Sequence, residues 1–383
     1  MKIVMHGATN GSNFGDIILA SLFHKMIVHV NGEDNTFFYE SFKYGVGGFL
    51  RKELNYNNHL KFSNLFKADF LIYFSGGYFG ENNAALKESM IRYLRYCLVG
   101  NVFMLLNKPI AILGIGGGPI TNKFLRKAIC KLINYAKFVY VRDEETKNYF
   151  VKFGCSADHI KVTTDTAQVI TPDIIPPLET DVLNDIVKIF GHTKKIFLHL
   201  PNVQHVDEKF SQIVIPALNR FLKLHEDYGV VIGNDGMMLK DFEGFLSVKG
   251  IISEKIYFYK YHSAWQLCSL LNNMDLIITP KLHVGIIGAS LSKSVLSFPY
   301  HNFKTQRYFR QINEIERCIL LKEVNEDTAF ENIKNYYNKP IMLNNAIRHL
   351  AISNLTLLGN ILNLPSNLNN DFQEIKGIIK WLG

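Results

Sequence analysis

The chain has 383 residues, 48% of them hydrophobic and 20% charged, which is typical of a folded globular protein and long enough for two domains. Its 42 basic and 34 acidic residues give a formal net charge of +8, which favours acidic partners. The sequence lacks the block of Lys and Arg that nucleic-acid-binding arms carry, so we expect small anionic substrates and no nucleic-acid partner.

The first half of the chain alternates short apolar runs with helical patterns. Runs at 2–6, 37–41, 69–74, 110–115, 138–142 and 160–164 predict strands, and helices are predicted over 16–30, 83–105, 123–135 and 144–154. The strand runs are continuously apolar, as in a parallel sheet that helices cover on both faces. A proline-rich stretch, 171–177, then interrupts the pattern and predicts a linker between domains.

The alternation resumes after this linker. Apolar runs at 195–200, 229–233, 256–260, 275–279 and 294–298 predict five more strands, and the chain beyond about residue 325 has a helical pattern. We therefore expect an α/β protein with two Rossmann-like domains that face each other across a cleft, followed by C-terminal helices. The predicted divisions are an N-terminal domain with glycine-rich ligand loops (1–172), a linker region (173–190), a second domain (191–325) and the C-terminal helices (326–383).

Three glycine-rich segments of the first half are candidate ligand loops. They contain the candidate binding residues Asn13, Gly15, Gly76, Gly77, Gly116 and Gly117. Because the carboxyl ends of parallel strands meet at one edge of a sheet, these segments predict one ligand-binding rim. None matches the dinucleotide motif GxGxxG or the P-loop, which disfavours a nicotinamide or ATP site. Asp16 and Arg142 lie beside these segments and are further candidates. Each could instead have a structural role: Asp16 could cap a helix, and Arg142 could form an ion pair.

The second half places cations and histidines near strand ends. The candidates are Lys281, Leu282, His283, His199, His262, Lys304 and Arg307. Lys281 and His283 come as a pair between a strand and a helix, where the helix N-terminus favours an anion. A lone histidine such as His199 or His262 is more often structural, and His262 is placed to cap the helix that follows it. Lys304 and Arg307 follow the last predicted strand, so they could converge on the same pocket.

The ordered set of short motifs resembles the polysaccharide pyruvyl transferase family. The motifs are Asn13-Phe14-Gly15-Asp16, Ser75-Gly76-Gly77, Gly114-Ile115-Gly116, Val141-Arg142-Asp143-Glu144, Thr164-Asp165, Lys281-Leu282-His283, and Tyr300 with Lys304. The family is similar to two-domain glycosyltransferases of the GT-B type. The resemblance implies transfer of pyruvate from phosphoenolpyruvate to two hydroxyls of a sugar, which makes a cyclic ketal. The implied acceptor is a surface glycan or its lipid-linked precursor.

The resemblance also implies roles for particular residues. His283 is the expected general acid and base, and Asp16 is the second catalytic candidate. The carboxylate and phosphate of phosphoenolpyruvate need several cations, and the cationic candidates are Arg142, Lys281, Lys304 and Arg307. Phosphoenolpyruvate is a co-substrate, and no cofactor or metal is expected, because the sequence has no HExxH motif, no DxD at a strand end and no Cys/His cluster.

Two positions depart from the family pattern. The cation before Leu282 is often arginine in the family but is Lys281 here, and lysine cannot bind an anion through two parallel hydrogen bonds. At the end of the first strand of the second domain, His199 or Leu200 stands where relatives often have arginine. Two other functions stay open: a GT-B-type glycosyltransferase with a nucleotide-sugar donor, and a non-catalytic sensor of glycans or anions.

The sequence also bears on the location of the protein. Five scattered cysteines without a CxxC pair indicate free thiols in a reducing compartment. No apolar stretch approaches the ~18–20 residues of a spanning helix, and the N-terminus is not typical of a signal peptide, so we expect a cytoplasmic protein. The segment 372–383 could contact the inner face of the membrane, although packing on the protein itself is favoured. Homo-oligomerisation stays open.

Overall fold

The computed structural model describes residues 1–11, 13–41, 45–80, 85–200, 209–236, 250–251, 253–300, 302–361 and 372–380. These residues form two compact units. The first unit consists of Met1–Val169 together with Asn345–Lys380, and the second unit is Ile170–Asn344. The chain therefore leaves the first unit, builds the second, and returns to the first for its last two helices.

An eight-stranded parallel sheet forms the centre of the first unit. Its strands are β1 (Ile3–His6), β2 (Thr36–Glu40), β3 (His59–Lys61), β4 (Phe70–Tyr73), β5 (Gly76–Phe79), β6 (Ile110–Gly117), β7 (Phe138–Val141) and β8 (Ile160–Val162). Their order is β3-β2-β1-β4-β6-β7-β8, and β5 pairs with β6. All residues of β1, β4 and β6 are buried, because helices cover both faces of the sheet.

Side chains cap several helices of the first unit. The helices are Phe14–Asn31, Gly48–Leu54, Leu86–Arg92, Leu98–Leu105, Lys123–Tyr135, Glu144–Lys152, Asn345–Ile361 and Phe372–Ile379. Asn13, Asn122 and Asp143 each accept a hydrogen bond from a backbone N–H in the first turn of the helix that they precede, which satisfies a donor that has no partner inside the helix. A π-helical turn, Tyr93–Cys97, joins Leu86–Arg92 to Leu98–Leu105.

The second unit is built on a smaller parallel sheet with the strand order 3-2-1-4-5 of a Rossmann fold. Its strands are β9 (Lys194–His199), β10 (Tyr228–Gly233), β11 (Ile256–Phe258), β12 (Leu276–Thr279) and β13 (Ser294–Ser297), and its helices are Thr180–Phe190, Ile215–Leu224, Ala264–Asn272, Leu282–Ser290, Asn302–Gln311 and Glu326–Tyr336. The order β11-β10-β9-β12-β13 means that the chain builds one side of the sheet from β9 outwards and then crosses to the other side.

The predicted strands are confirmed, and two short strands were missing from the prediction. Each of the eleven predicted apolar runs overlaps a strand, whereas β3 and β5 were not predicted. β3 has three residues, two of them polar, and β5 begins with Gly76 and Gly77, so neither has the apolar run by which a buried strand is recognised. The predicted glycine loop at 76–77 is therefore strand.

The structure divides the chain differently from the prediction. The predicted linker, 173–190, contains the helix Thr180–Phe190, which buries Val182, Ile186 and Phe190. These residues recur every fourth position and so form one apolar face. The predicted group of C-terminal helices is also divided, since Glu326–Tyr336 packs on Ile215–Leu224 in the second unit.

The last two helices pack against the first helix of the chain, Phe14–Asn31, in the first unit. In Phe372–Ile379 the side chains of Ile375 and Ile379 are 1% and 0% exposed. Lys25 Nζ donates to the carbonyl oxygens of Ile379 and Lys380 at 3.3 and 3.1 Å, as a cation does at a helix C-terminus. In the segment 372–383, which could have contacted a membrane, Ile375 and Ile379 are thus buried in the protein, whereas residues 381–383 lie outside the described residues. None of the described helices is long and apolar enough to cross a bilayer.

Candidate functional site

The candidate site of the second unit lies at the carboxyl ends of its central strands. β9 and β12 are neighbours although β10 and β11 come between them in the chain, so the direction in which the sheet is built reverses between them. Open α/β sheets bind ligands in the crevice outside such a reversal. His199 ends β9 and Thr279 ends β12, which brings both residues to this crevice.

His199 is fully buried, and both of its ring nitrogens face polar groups. Nδ1 lies 2.7 Å from Thr279 Oγ1, and Nε2 lies 3.5 Å from Oδ1 of Asp235. The Thr279 hydroxyl accepts the backbone N–H of Lys281 at 3.0 Å and lies 3.4 Å from the Lys281 carbonyl oxygen, to which it can donate. His199 thus lies between a hydroxyl and the Asp235 carboxylate.

Asp235 connects His199 to Lys281. It follows β10, the neighbour of β9, and is 3% exposed. Its Oδ2 lies 3.7 Å from Lys281 Nζ. Burial by itself raises the pKa of this carboxyl, but the His199 imidazole and the Lys281 ammonium outweigh burial and bring the pKa down to about 2. Asp235 is therefore an anion at neutral pH, and it holds the lysine side chain in place.

His199, Asp235 and Lys281 form one cluster, called the Lys281 cluster below, and Lys281 is its solvent-exposed, positively charged member. Its side chain is 35% exposed, whereas His199 and Asp235 are buried. It immediately precedes the helix Leu282–Ser290, so its ammonium and the backbone N–H groups of the helix N-terminus lie at the same end of one element. Both favour an anion there, and the binding of an anion at Lys281 stays a prediction.

The remaining candidates of the second unit lie near the same edge of the sheet. Leu282 and His283 form the first turn of the helix after β12, and both are half-buried. Lys304 and Arg307 lie on the helix Asn302–Gln311, which follows the adjacent β13; Lys304 is exposed and Arg307 is half-buried.

His262 is not the cap of the helix that follows it. That helix, Ala264–Asn272, is capped by Ser263, whose side chain accepts from the Gln266 N–H. His262 is exposed and forms an ion pair with Glu179 instead. The cap prediction for His262 is therefore wrong by one residue, because a serine hydroxyl is the better acceptor for a helix N–H.

In the first unit, Arg142 belongs to a buried ion pair. Arg142 is 5% exposed, its Nη1 donates to Asp165 Oδ2 at 3.0 Å, and its Nε lies 3.8 Å from Asp143 Oδ2. The observed contacts are therefore those of the ion pair that was the structural interpretation of Arg142, and Asp165 is its closer partner. Gly116 makes room for this pair, since a Cβ there would lie 2.4 Å from Arg142 Nε, and a Cβ at Gly117 would lie 2.2 Å from the Phe150 ring.

The candidates near β1 and β4, which are Asn13, Asp16 and Gly76, also have structural surroundings that explain them. Asn13, not Asp16, caps the helix Phe14–Asn31, and its side chain accepts the Gly15 N–H at 3.0 Å. Asp16 lies in the first turn of that helix, half-buried, where its charge raises the pKa of the nearby Tyr78, which burial already raises. A Cβ at Gly76 would meet the Tyr78 ring at 2.8 Å.

The first unit has a small pocket of its own at the carboxyl ends of β1 and β2. Its lining residues are His6, Gly7, Thr9, Asn10, Tyr39, Ser41 and Arg95. His6 Nε2 donates to the Arg95 carbonyl oxygen at 2.8 Å. Burial lowers the pKa of His6 to about 3, so this ring is neutral at physiological pH. Neither His6 nor Arg95 was a candidate from sequence, although the position of His6 at the end of the first strand was visible.

Asp235 was also missed by the sequence analysis. Its segment, Asn234-Asp235-Gly236, directly follows an apolar strand, which is the available signal, but the same three residues are typical of an ordinary turn. Among the residues that the structure describes, no group of three or more His, Cys, Asp or Glu side chains is arranged to hold a metal ion.

Comparisons with known proteins agree with this architecture. MnaA of S. aureus in complex with UDP superimposes with a TM-score of 0.62 at 11% identity, covering 96% of this chain and 98% of that one. The UDP-GlcNAc 2-epimerases of Neisseria meningitidis and Methanocaldococcus jannaschii, both with UDP-GlcNAc, give TM-scores of 0.60 at 12% and 14% identity; they cover 95% and 94% of this chain and 100% of their own. The likeness confirms the predicted α/β, GT-B-like fold.

Sequence comparison identifies the family. A search of curated proteins found no significant match. The family model of the polysaccharide pyruvyl transferases, however, matches residues 13–302, a range that runs from the cap of the first helix to the helix after β13. Because this range covers most of the chain and includes the Lys281 cluster, the chain belongs to the polysaccharide pyruvyl transferase family, which is a family of enzymes.

Proposed function

We propose that this enzyme transfers pyruvate from phosphoenolpyruvate to a sugar of a surface glycan or of its lipid-linked precursor, forming a pyruvate ketal. The observation that supports the donor is the Lys281 cluster, in which a buried carboxylate holds an ammonium at the N-terminus of a helix. Phosphoenolpyruvate carries a carboxylate and a phosphate, and such a position favours both.

The proposed reaction requires one proton transfer to carbon and two additions. Protonation of the methylene carbon of phosphoenolpyruvate makes the adjacent carbon electrophilic, and one sugar hydroxyl adds there and loses its proton. The bond from that carbon to the phosphate oxygen then breaks, and the second hydroxyl adds in place of phosphate. Two C–O bonds, one C–H bond and one O–H bond of phosphate form, while the C=C π bond, the C–O bond to phosphate and the two sugar O–H bonds break; the proton of the first hydroxyl replaces the one given to carbon, and that of the second leaves with phosphate.

We assign the proton transfer to His283. It lies in the first turn of the helix that Lys281 precedes, and it is half-buried, so one element carries both the anion site and an imidazole. Histidine is the side chain whose ordinary pKa suits both giving and taking a proton near neutral pH. His199 is fully buried and faces Thr279 and Asp235, so we assign it a positioning role through Asp235.

Arg142 receives a structural role in this proposal. Its guanidinium is engaged by Asp165 and lies against Gly116, so the donor is held by the cations of the second unit. Lys304 and Arg307, on the helix after the neighbouring strand, are the further candidates for the phosphate.

Titration calorimetry with phosphoenolpyruvate tests the donor assignment. We expect Lys281→Ala to weaken binding by about 2 kcal/mol, which is the lower end for removing one member of a charge pair, because this lysine is a third exposed. Lys322→Ala is the matched control, since that lysine is exposed and pairs with its neighbour Glu323. Equal affinity of wild type and Lys281→Ala would move the donor site elsewhere.

A second arm of the experiment separates the proposed reaction from its alternative. UDP-GlcNAc is titrated in parallel, and release of phosphate or UDP is followed with a lipid-linked saccharide as acceptor. Phosphate release that persists after chelation of divalent metals is the expected result. Binding of UDP-GlcNAc without binding of phosphoenolpyruvate would favour the glycosyltransferase, and activity that only magnesium or manganese restores would contradict the metal-free mechanism.

A further inference from the structure

The amino-terminal edge of the first sheet carries a row of lysines. Lys2 and Lys137 immediately precede β1 and β7, and Lys67 and Lys108 precede β4 and β6 by a few residues. These four strands are consecutive neighbours in the sheet, in the order β1-β4-β6-β7, and all their pairs are parallel. Because adjacent strands lie about 4.8 Å apart, the parallel topology places the four lysines along one short edge.

Exposed apolar side chains lie within this row. Leu105 is 83% exposed, Phe66 59% and Leu106 43%, and Leu105 is the most exposed large apolar side chain of the described residues. On the surface of a soluble protein, exposed apolar side chains normally occur singly, so a group of them indicates an interaction surface.

Hydrogen bonds of Lys108 link the segments that carry the exposed apolar side chains. Its Nζ donates to the Phe66 carbonyl oxygen at 2.6 Å and also to that of Ala68, and Lys108 follows Leu106 by two residues. Tyr135, 37% exposed, donates its hydroxyl hydrogen to the Lys108 carbonyl oxygen at 3.1 Å. Lys108 therefore brings the segment that contains Phe66 beside the chain that follows Leu105 and Leu106.

Positive charge predominates at this edge. Lys2, Lys67 and Lys137 are exposed, and Lys67 Nζ lies 5.7 Å from the centre of the Phe66 ring. One acidic residue, Asp69, lies among them and accepts the backbone N–H of Lys2 at 2.7 Å. Lysines around exposed Leu and Phe match the two layers of an anionic membrane surface, with charged headgroups outside and acyl chains beneath.

We infer that the basic apolar edge formed by Lys2, Phe66, Lys67, Leu105, Leu106, Lys108 and Lys137 docks on an anionic lipid surface. Lys2, Lys67 and Lys137 contact the headgroups, Lys108 holds the two segments together, and Phe66, Leu105 and Leu106 enter the boundary of the acyl layer. The inference does not depend on the proposed reaction. It assigns membrane contact to the amino-terminal edge of the first sheet, and not to the C-terminal helix.

Co-sedimentation with vesicles tests this inference in the full-length protein. We expect binding to vesicles that contain phosphatidylglycerol and not to vesicles of phosphatidylcholine alone, and we expect binding to fall as salt is raised. Phe66→Ser/Leu105→Ser removes the apolar contact. Lys67→Glu/Lys137→Glu removes two charges, each of which contributes roughly fivefold to binding near such a surface, so we expect a loss of at least tenfold.

Leu224→Ser/Lys223→Glu is the matched control. Leu224 is 67% exposed, and Lys223 precedes it at the end of a helix of the second unit. The control therefore changes one exposed leucine and one lysine on a surface outside the basic apolar edge. Wild-type vesicle binding by the control, together with loss in both other variants, supports the inference. It is overturned if the wild type does not bind, if all variants bind equally, if the control loses as much as the others, or if Phe66→Ser/Leu105→Ser dissociates a dimer that has no affinity for vesicles.

Discussion

Single buried side chains of this enzyme are sensitive to pH. His24 lies in the first helix of the chain, where its ring stacks on Phe38 and lies 4.2 Å from the Tyr56 ring. Burial lowers the pKa of His24 from 6.5 to about 4, and the pKa of His6 to about 3. Between these values and 6.5 the unfolded chain binds protons that the folded chain does not bind, so the stability of the folded state falls as the pH falls.

The change His24→Phe isolates one of these two titrations. Phenylalanine keeps the ring packing but binds no proton. We expect the wild type to lose up to about 1.4 kcal/mol per pH unit for each buried histidine as the pH falls from 6.5 towards 4, and the variant to lose about half as much. Urea unfolding at several pH values measures this, with the exposed His349→Gln as control. Parallel pH curves for wild type and His24→Phe would contradict the assignment.

Asp235 changes stability in the same direction as the buried histidines but at lower pH. Its pKa is lowered from 3.8 to about 2 by His199 and Lys281 against the effect of burial, so its contribution to stability is complete above about pH 4 and is lost as the pH falls through 2. We expect Asp235→Asn to cost about 2 kcal/mol at pH 7, because the charge that these two partners stabilise is removed.

Urea unfolding of Asp235→Asn at pH 7 checks this expectation. The same change should weaken phosphoenolpyruvate binding, because Lys281 loses the carboxylate that holds it 3.7 Å away. A variant with unchanged stability and unchanged affinity would show that Asp235 does not position the lysine. Asp227→Asn, in the turn before β10, provides a control for the loss of one negative charge.

Among the elements, continuous apolar runs were the most reliable guide. The run Phe70-Leu71-Ile72-Tyr73 is buried at every position, and a parallel strand requires such a run because helices cover both of its faces. The position of Lys281 and His283 was predictable for the same reason, because they follow a strand that is also a continuous apolar run. The pairing of Lys281 with Asp235 was not predictable, because it depends on β10 lying beside β9, which a single sequence does not specify.

One buried side chain of the helix Asn345–Ile361 makes three hydrogen bonds to the first unit. Asn354 is fully buried, accepts from Thr163 Oγ1 at 2.9 Å, and donates to the Thr164 carbonyl oxygen and to Thr166 Oγ1 at 3.0 Å each. These threonines flank Asp165, the partner of Arg142. One asparagine therefore connects the helix to the segment that holds the buried ion pair.

The change Asn354→Ala should therefore be strongly destabilising. It leaves several buried donors and acceptors without their partner, and each such group costs about 1–3 kcal/mol, so we expect a loss of about 3 kcal/mol. Asn332→Ala is the control, because that side chain makes one exposed hydrogen bond, to the Thr328 carbonyl oxygen. Equal unfolding midpoints for the two variants would mean that Asn354 does not anchor the helix.

For the whole molecule, the main difference from the sequence prediction concerns which segments fold together. A division into consecutive segments assigns residues 326–383 to one group of helices, whereas the structure assigns Glu326–Tyr336 to the second unit and Asn345–Ile361 to the first. Both helices are amphipathic, so the sequence shows that each has an apolar face. The sequence does not show which sheet that face covers, because long-range contacts decide this.

Truncation after Asp371 tests the place of the last helix. We expect a loss of several kcal/mol in the free energy of unfolding, since each fully buried isoleucine contributes about 1.5–3 kcal/mol and the cut removes Ile375 and Ile379. Gly377→Ala changes the same helix in the other direction. A Cβ there would meet no atom within 4 Å, so a gain of about 0.5–1 kcal/mol is expected. Unchanged stability of the truncated protein would show that the last helix does not belong to the fold.

The return of the chain to the first unit affects how the protein folds during synthesis. The strands of the first unit are translated first, but the helices Asn345–Ile361 and Phe372–Ile379, which cover Phe14–Asn31, are translated last. The second unit is a continuous segment and can emerge from the ribosome complete. The unit whose strands are made first is therefore completed only after the second unit, and until then the apolar helix Phe14–Asn31 lacks the cover of these two helices, a state in which exposed apolar surface favours aggregation.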